Sequence, residues 1–164
     1  QPEFYGRSKQ FTSKFTEKGT LCENDAIEMC ADHYGWGMVS KNTIRFEDDE
    51  HIEGTPDIIL PKSVDDTKVS WDSDTFPLFD EYPDKKNVWQ GQGYLAIVGR
   101  EKFGLHYCLM DAPEIIVSAE AWKQARILGM NDLDADLYDE VKAHMTYSHL
   151  PIKLRLKSWF YERE

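Results

Sequence analysis

From residue 20 onwards, Ala26, Ile27, Cys30, Ala31 and Tyr34 recur at three- and four-residue spacing and predict an amphipathic helix. Gly35 and Gly37 would end it. Residues 1–16, polar with scattered aromatics, carry no such period. Next, 43–46 predicts a short strand before the acidic turn Glu47-Asp48-Asp49-Glu50. Residues 57–60 and 64–70 predict two strands joined by a tight turn at Pro61-Lys62-Ser63. The Asp-, Pro- and Lys-rich stretch 72–87, broken by Leu78-Phe79, predicts a loop long enough to be functional. Segment 87–98 is ambiguous. Val88, Leu95 and Val98 suit a helix, but Gly91 and Gly93 each cost one about 1 kcal/mol. Residues 103–111 alternate as a strand, and helices are expected over 118–128 and 134–145. Finally, 152–161 alternates Ile152, Leu154 and Leu156 with Lys153, Arg155 and Lys157, giving a strand with one apolar and one basic face. The order predicts one mixed α/β domain over residues 1–164, without a repeat or a dividing linker.

Composition narrows the class. A chain of 164 residues that is 41% hydrophobic and 13% aromatic can close one core and is not expected to be disordered. No stretch approaches the roughly 18 apolar residues of a membrane span, and the start lacks a signal-peptide layout. Cys22, Cys30 and Cys108 form an odd, widely spaced set without a CxxC. They argue against a disulfide scaffold or zinc knuckle and favour a reducing, cytoplasmic setting. The formal net charge of -11 by itself counts against nucleic-acid binding. Its distribution is uneven, however. Acid gathers at 47–50 and 132–140, and base at Arg7, Lys9, Lys14 and Lys18 and again at Lys153, Arg155 and Lys157.

The chemistry-bearing segment is Gly54-Thr55-Pro56-Asp57 followed by Asp66-Thr67-Lys68. Strand periodicity puts Asp66 and Lys68 on one face, and a hairpin turning at 61–63 would bring Asp57 within reach of the same cation. Mg²⁺ favours oxygen ligands and retains several waters, so two carboxylates and the Thr67 carbonyl suffice. Lys68 would then stand beside the attacking water and stabilise charge on phosphorus. The same charges also suit a solvated strand edge. Glu23 has two readings as well: N3 of a capping box begun by Thr20, worth about 1 kcal/mol, or a carboxylate aimed at the metal site. Gln90, Gln92 and Tyr94 could orient water or phosphate, or simply form a helix surface. His33, His51, His106, His144 and His149 have no metalloprotease spacing. No phosphate-binding, nucleophile-elbow or dinucleotide motif is present, which removes ATPase, serine hydrolase and dinucleotide-binding readings.

In order, Glu23, Gly54-Thr55-Pro56-Asp57, Asp66-Thr67-Lys68 and Gln90-Gly91-Gln92-Gly93-Tyr94 resemble the PD-(D/E)XK nuclease superfamily, and within it the lambda-type exonuclease and YqaJ-like viral recombinase branch. The resemblance extends over about residues 18–160 and implies a restriction-endonuclease-like core with a central mixed β-sheet flanked by helices. It makes Glu23, Asp57 and Asp66 the carboxylates of a Mg²⁺ site that Mn²⁺ can also fill, with the Thr67 carbonyl completing it. Lys68 and Gln90 become catalytic-site residues, and Glu23 a ligand rather than a cap. A helix at 87–98 follows despite its glycines. The implied activity is Mg²⁺-dependent 5′-to-3′ digestion of linear double-stranded DNA in viral or mobile-element recombination, in the host cytoplasm if viral. The implied partners are DNA with free ends, a single-strand annealing protein and further copies of the chain, as in a trimer.

Two other functions remain in view. One is a structure-specific or restriction-like endonuclease of the same fold. The other is an acidic DNA mimic or binding protein, motivated by the charge of -11 but leaving Lys68 without a purpose.

Overall fold

The computed structural model describes residues 13–48, 50 and 52–164. Helix α1 (Lys14–Tyr34) begins earlier than its apolar stripe. Ser13 caps it, its hydroxyl accepting from the Thr16 amide at 3.2 Å. The buried positions 18, 22, 26 and 30 form an i+4 row whose first member is a lysine, so apolar periodicity misses the opening turns. This corrects the capping-box reading of Thr20 and Glu23. Thr20 lies inside the helix, where its hydroxyl donates to the Thr16 carbonyl. Gly35 closes the helix at φ 67, left-handed backbone that glycine adopts without strain.

A small antiparallel pair follows, β1 (Phe46–Glu47) and β2 (Glu53–Gly54), so the strand expected at 43–46 is shifted onto the acidic turn. The main sheet comprises β3 (Ile58–Ile59), β4 (Ser63–Val69), β5 (Lys102–Cys108) and β6 (Leu156–Glu162), ordered β3-β4-β5-β6. β3 and β4 form the expected antiparallel hairpin. Helix α2 (Lys85–Val98) is the crossover that makes β4 and β5 parallel, and β6 returns antiparallel to β5. The sheet is thus mixed and flanked by the helices carrying Glu23 and Gln90, an α/β architecture consistent with a restriction-endonuclease-like core.

Alternation along the strands divides the core. Val64, Phe103 and Leu105 pack with Tyr94 and Leu95 of α2 on one face. Cys108 and Leu156 pack with Ala26 and Cys30 of α1 on the other. Helices α3 (Glu114–Ile127) and α4 (Ala135–His144) pack through Ile116, Val117 and Met145, with α3 starting four residues before the 118–128 segment. Residues 152–154 form a 3-10 turn, not the start of a strand, because the preceding Pro151 and the Arg155 amide bonded to the Ile152 carbonyl close the backbone on itself. Two of the three basic residues of this segment are engaged: Arg155 Nε donates to the Leu150 carbonyl and Lys157 Nζ to the Leu78 carbonyl, while Lys153 is exposed.

α2 also explains its glycines. A Cβ on Gly91 would collide with the ring of Phe103, whereas Gly93 meets nothing within 4 Å. The helix therefore accepts one glycine for close approach to the sheet. Among the described residues, no helix is long and apolar enough to cross a membrane.

Candidate active site

The β3–β4 hairpin sets the geometry. Ile58 faces Asp65 in its register, so one residue further out Asp57 stands opposite Asp66. Asp57 Oδ2 accepts from the Thr67 amide at 3.1 Å and from its hydroxyl at 3.4 Å. Thr67 thus contacts Asp57 as a donor. Asp66 is 3% exposed, and its Oδ2 has no aligned hydrogen-bond donor. Lys68 Nζ lies 2.8 Å from that oxygen, an ion pair outside hydrogen-bonding alignment, and donates to Gln90 Oε1 at 3.2 Å. Gln90 in turn donates to the Tyr94 hydroxyl at 2.8 Å. Asp57, Asp66, Thr67, Lys68 and Gln90 are thereby brought together.

The two signature segments also touch. A Cβ on Gly54 would lie 2.6 Å from Tyr94 Cε1, so the glycine three residues before Asp57 is a seat for the Tyr94 ring. Burial raises the Tyr94 hydroxyl pKa, with the Asp66 charge adding to the effect.

Glu23 is placed differently. Lys41, in the segment between α1 and β1, holds the Glu23 carboxylate in a 2.7 Å ion pair. Among the described residues, no three His, Cys, Asp or Glu side chains gather closely enough to hold a metal ion. Glu23 nevertheless lines one cleft of about 500 Å³ with Lys41, Thr67 and Lys68. The α1 helix is fixed over this cleft by Lys18, which is 1% exposed and donates to the carbonyls of Ser70 (3.1 Å) and Trp71 (2.7 Å) just beyond β4. Burial lowers the Lys18 pKa.

Electrostatics mark Asp57. Burial, and then the adjoining Asp66 carboxylate, push its pKa up to about 7, against the opposing pull of the Thr67 amide and Lys68. Lys68 is held above its ordinary value: burial acts to lower it, but the Asp66 and Asp57 charges prevail. A carboxylate whose ionisation burial and the Asp66 neighbour oppose, facing a buried Asp66 oxygen without an aligned donor, fits a hard divalent cation, which needs only one or two carboxylates besides water. A pH prediction follows. Because the folded state holds the Asp57 proton more tightly than the unfolded chain, this group's contribution to stability is lost as pH rises from about 4 through about 7. Added Mg²⁺ should flatten that decline, as read by thermal unfolding across the same range. An identical slope with and without Mg²⁺ would contradict it.

Sequence reasoning did not find a second buried cluster on the opposite sheet face. His106, fully buried, bonds Asp65 Oδ2 through Nε2 (2.6 Å) and Ser158 Oγ through Nδ1 (2.7 Å). Ser63 donates to Asp65, and Tyr34 donates to Ser158. The Asp–His–Ser order is triad-like, but the serine hydroxyl is already engaged by Tyr34, the last residue of α1, so the cluster is a structural tie across three strands. The basic cluster near the start of the chain, where the described residues reach it, is engaged within the fold. Lys14 is paired with Glu120, while Arg7 and Lys9 lie outside the described residues.

No family model and no curated protein sequence matches the chain. Solved structures do. A phage related exonuclease from Haemophilus somnus 129PT aligns over 99% of this chain and 67% of that one, with 27% identity and a TM-score of 0.70. LHK-Exo in complex with dAMP aligns over 96% of this chain and 62% of that one (12% identity, TM-score 0.62). The alkaline exonuclease LHK-Exo from Laribacter hongkongensis aligns over 93% and 60% (13% identity, TM-score 0.59). The chain, which spans about two thirds of the length of these relatives, has a PD-(D/E)XK-like exonuclease fold.

Proposed function

We propose that this protein is a Mg²⁺-dependent deoxyribonuclease that hydrolyses phosphodiester bonds of linear double-stranded DNA as a 5′-to-3′ exonuclease of viral or mobile-element recombination. The observation that carries it is the pairing of half-buried Asp57 with buried Asp66, with Lys68 beside them, on a fold shared with a phage related exonuclease. Asp57 and Asp66 are the residues that would hold Mg²⁺, or Mn²⁺ in its place, with the Thr67 carbonyl and Glu23 as further candidates. A bound divalent cation would supply Lewis-acid stabilisation of the charge that builds on the scissile phosphate.

The chain's own residues do the rest. Thr67 fixes the Asp57 carboxylate from behind, and the β3–β4 hairpin fixes its distance from Asp66. Lys68 presents a positive charge next to the reacting phosphate and is aimed by Gln90, whose amide is itself set by Tyr94. Gln90 can orient water or a phosphate oxygen without adding negative charge. The net charge of -11 leaves a single copy short of a basic DNA track, so further copies of the chain would build the channel. A single-strand annealing protein is the partner that would receive the exposed strand.

The test pairs stability with substrate form. Mg²⁺ or Mn²⁺ should raise the unfolding temperature of the wild type, and Asp57→Ala should abolish that rise. With Mg²⁺, 5′-phosphorylated linear duplex should be degraded while closed circular duplex persists. Cleavage of both would assign the site to an endonuclease, and cleavage of neither would refute nuclease function.

A further inference from the structure

The nuclease reading leaves Lys41 unused, although it is ion-paired with Glu23, the candidate third carboxylate of the site. Its Nζ is 2.7 Å from Glu23 Oε2, and it lines the same cleft as Thr67 and Lys68. The charges of Asp57 and Asp66 reach it too, and with Glu23, its hydrogen-bonded partner and the largest influence, they raise the lysine pKa. By geometry Lys41 is the counter-ion of Glu23, as Lys68 is of Asp66. Its side chain remains 39% exposed, and it stands in a loop without regular structure, so it can reach an incoming anion with little rearrangement. Long ammonium side chains form point-charge contacts with phosphate and exchange partners readily.

We infer that Lys41 is a substrate-released counter-ion. It neutralises Glu23 while DNA is absent, passes to a backbone phosphate when DNA enters the cleft, and thereby frees Glu23 for the cation site of Asp57 and Asp66. Lys41 is in this sense a positioning residue acting through Glu23, and it couples cation recruitment to the presence of substrate. The inference rests on the nuclease reading for its ligand, and on the Lys41–Glu23 pair for its geometry.

Two binding measurements in opposite directions test it, neither requiring turnover. Mn²⁺ is titrated into wild type, Lys41→Gln and Lys41→Arg without DNA, with thermal unfolding as readout. Removing one unit charge a few ångströms from the carboxylates should tighten Mn²⁺ binding by about fivefold or more in Lys41→Gln. Lys41→Arg, which keeps the pair, should match the wild type. Duplex binding is then measured against salt in EDTA. Lys41→Gln should bind more weakly, and its log K against log salt slope should be shallower by about 1, the loss of one phosphate contact. An unchanged or weaker Mn²⁺ midpoint in Lys41→Gln, or an unchanged salt slope, would overturn the role of Lys41. A wild type that shows no Mn²⁺ response would instead overturn the nuclease reading beneath it. Unfolding in EDTA reports whether each variant is folded, and Lys41→Arg supplies the comparison if Lys41→Gln is not.

Discussion

Replacing Lys68 with Ala is expected to slow single-turnover cleavage of 5′-phosphorylated linear duplex by at least about a hundredfold, while leaving divalent-cation binding in place. The fall is the scale attached to losing one strong transition-state contact. Lys68 has 2.8 Å access to Asp66 Oδ2 and a 3.2 Å hydrogen bond to Gln90, so its ammonium is held in one position before substrate arrives. Both carboxylates survive the substitution, and loss of a neighbouring positive charge does not weaken their attraction for a cation. Gln90→Ala should have a milder effect, since Lys68 keeps its ion pair. Cleavage at saturating Mg²⁺ and a thermal titration with the same ion separate the outcomes. Near-normal cleavage would remove Lys68 from catalysis. Loss of cleavage and cation response together would make it a structural residue of the site.

The largest stability effect is expected away from that site, at Gly104→Ala. Gly104 pairs with Asp65 across the parallel β4–β5 ladder. A methyl group there would overlap Asp65 Oδ2 and lie 2.8 Å from His106 Nε2. The Asp65–His106 bond cannot persist with it, and Ser63 and Ser158 lose a settled network. Overpacking together with a broken buried polar pair should cost about 3 kcal/mol or more, measured by denaturant unfolding. Gly93→Ala provides the contrast. It is a helical glycine facing open space, and the alanine should add about 0.5–1 kcal/mol through helix propensity. Equal responses at the two positions would refute the steric account of Gly104.

The hairpin was legible because its information is local. Apolar Ile58, Ile59, Val64 and Val69 bracket a short turn, and period-two alternation then places Asp66 with Lys68. The first turns of α1 were not legible, because the inward position there is Lys18, a polar residue satisfied by carbonyls about fifty positions away. The His106 cluster was hidden for a similar reason. Alternation assigns His106 to a sheet face, but its partner depends on the β4–β5 register, which the α2 crossover sets. Lys41 follows no pattern at all, being a loop lysine whose significance comes from the fold returning it to Glu23. The glycines of α2 misled in the opposite direction. Their propensity cost is real, yet Gly91 is required by Phe103.

The contact between Gly54 and Tyr94 has a consequence for how this nuclease-like core can diversify. Two segments forty residues apart are one steric lock, because the ring of Tyr94 occupies the volume a side chain at 54 would need. A lineage that enlarged residue 54 would have to shrink residue 94 in the same step or pass through a poorly packed ancestor. The lost hydroxyl would also leave Gln90, and through it Lys68, without its present aim. Grafting either segment alone into another protein would transplant half of a lock.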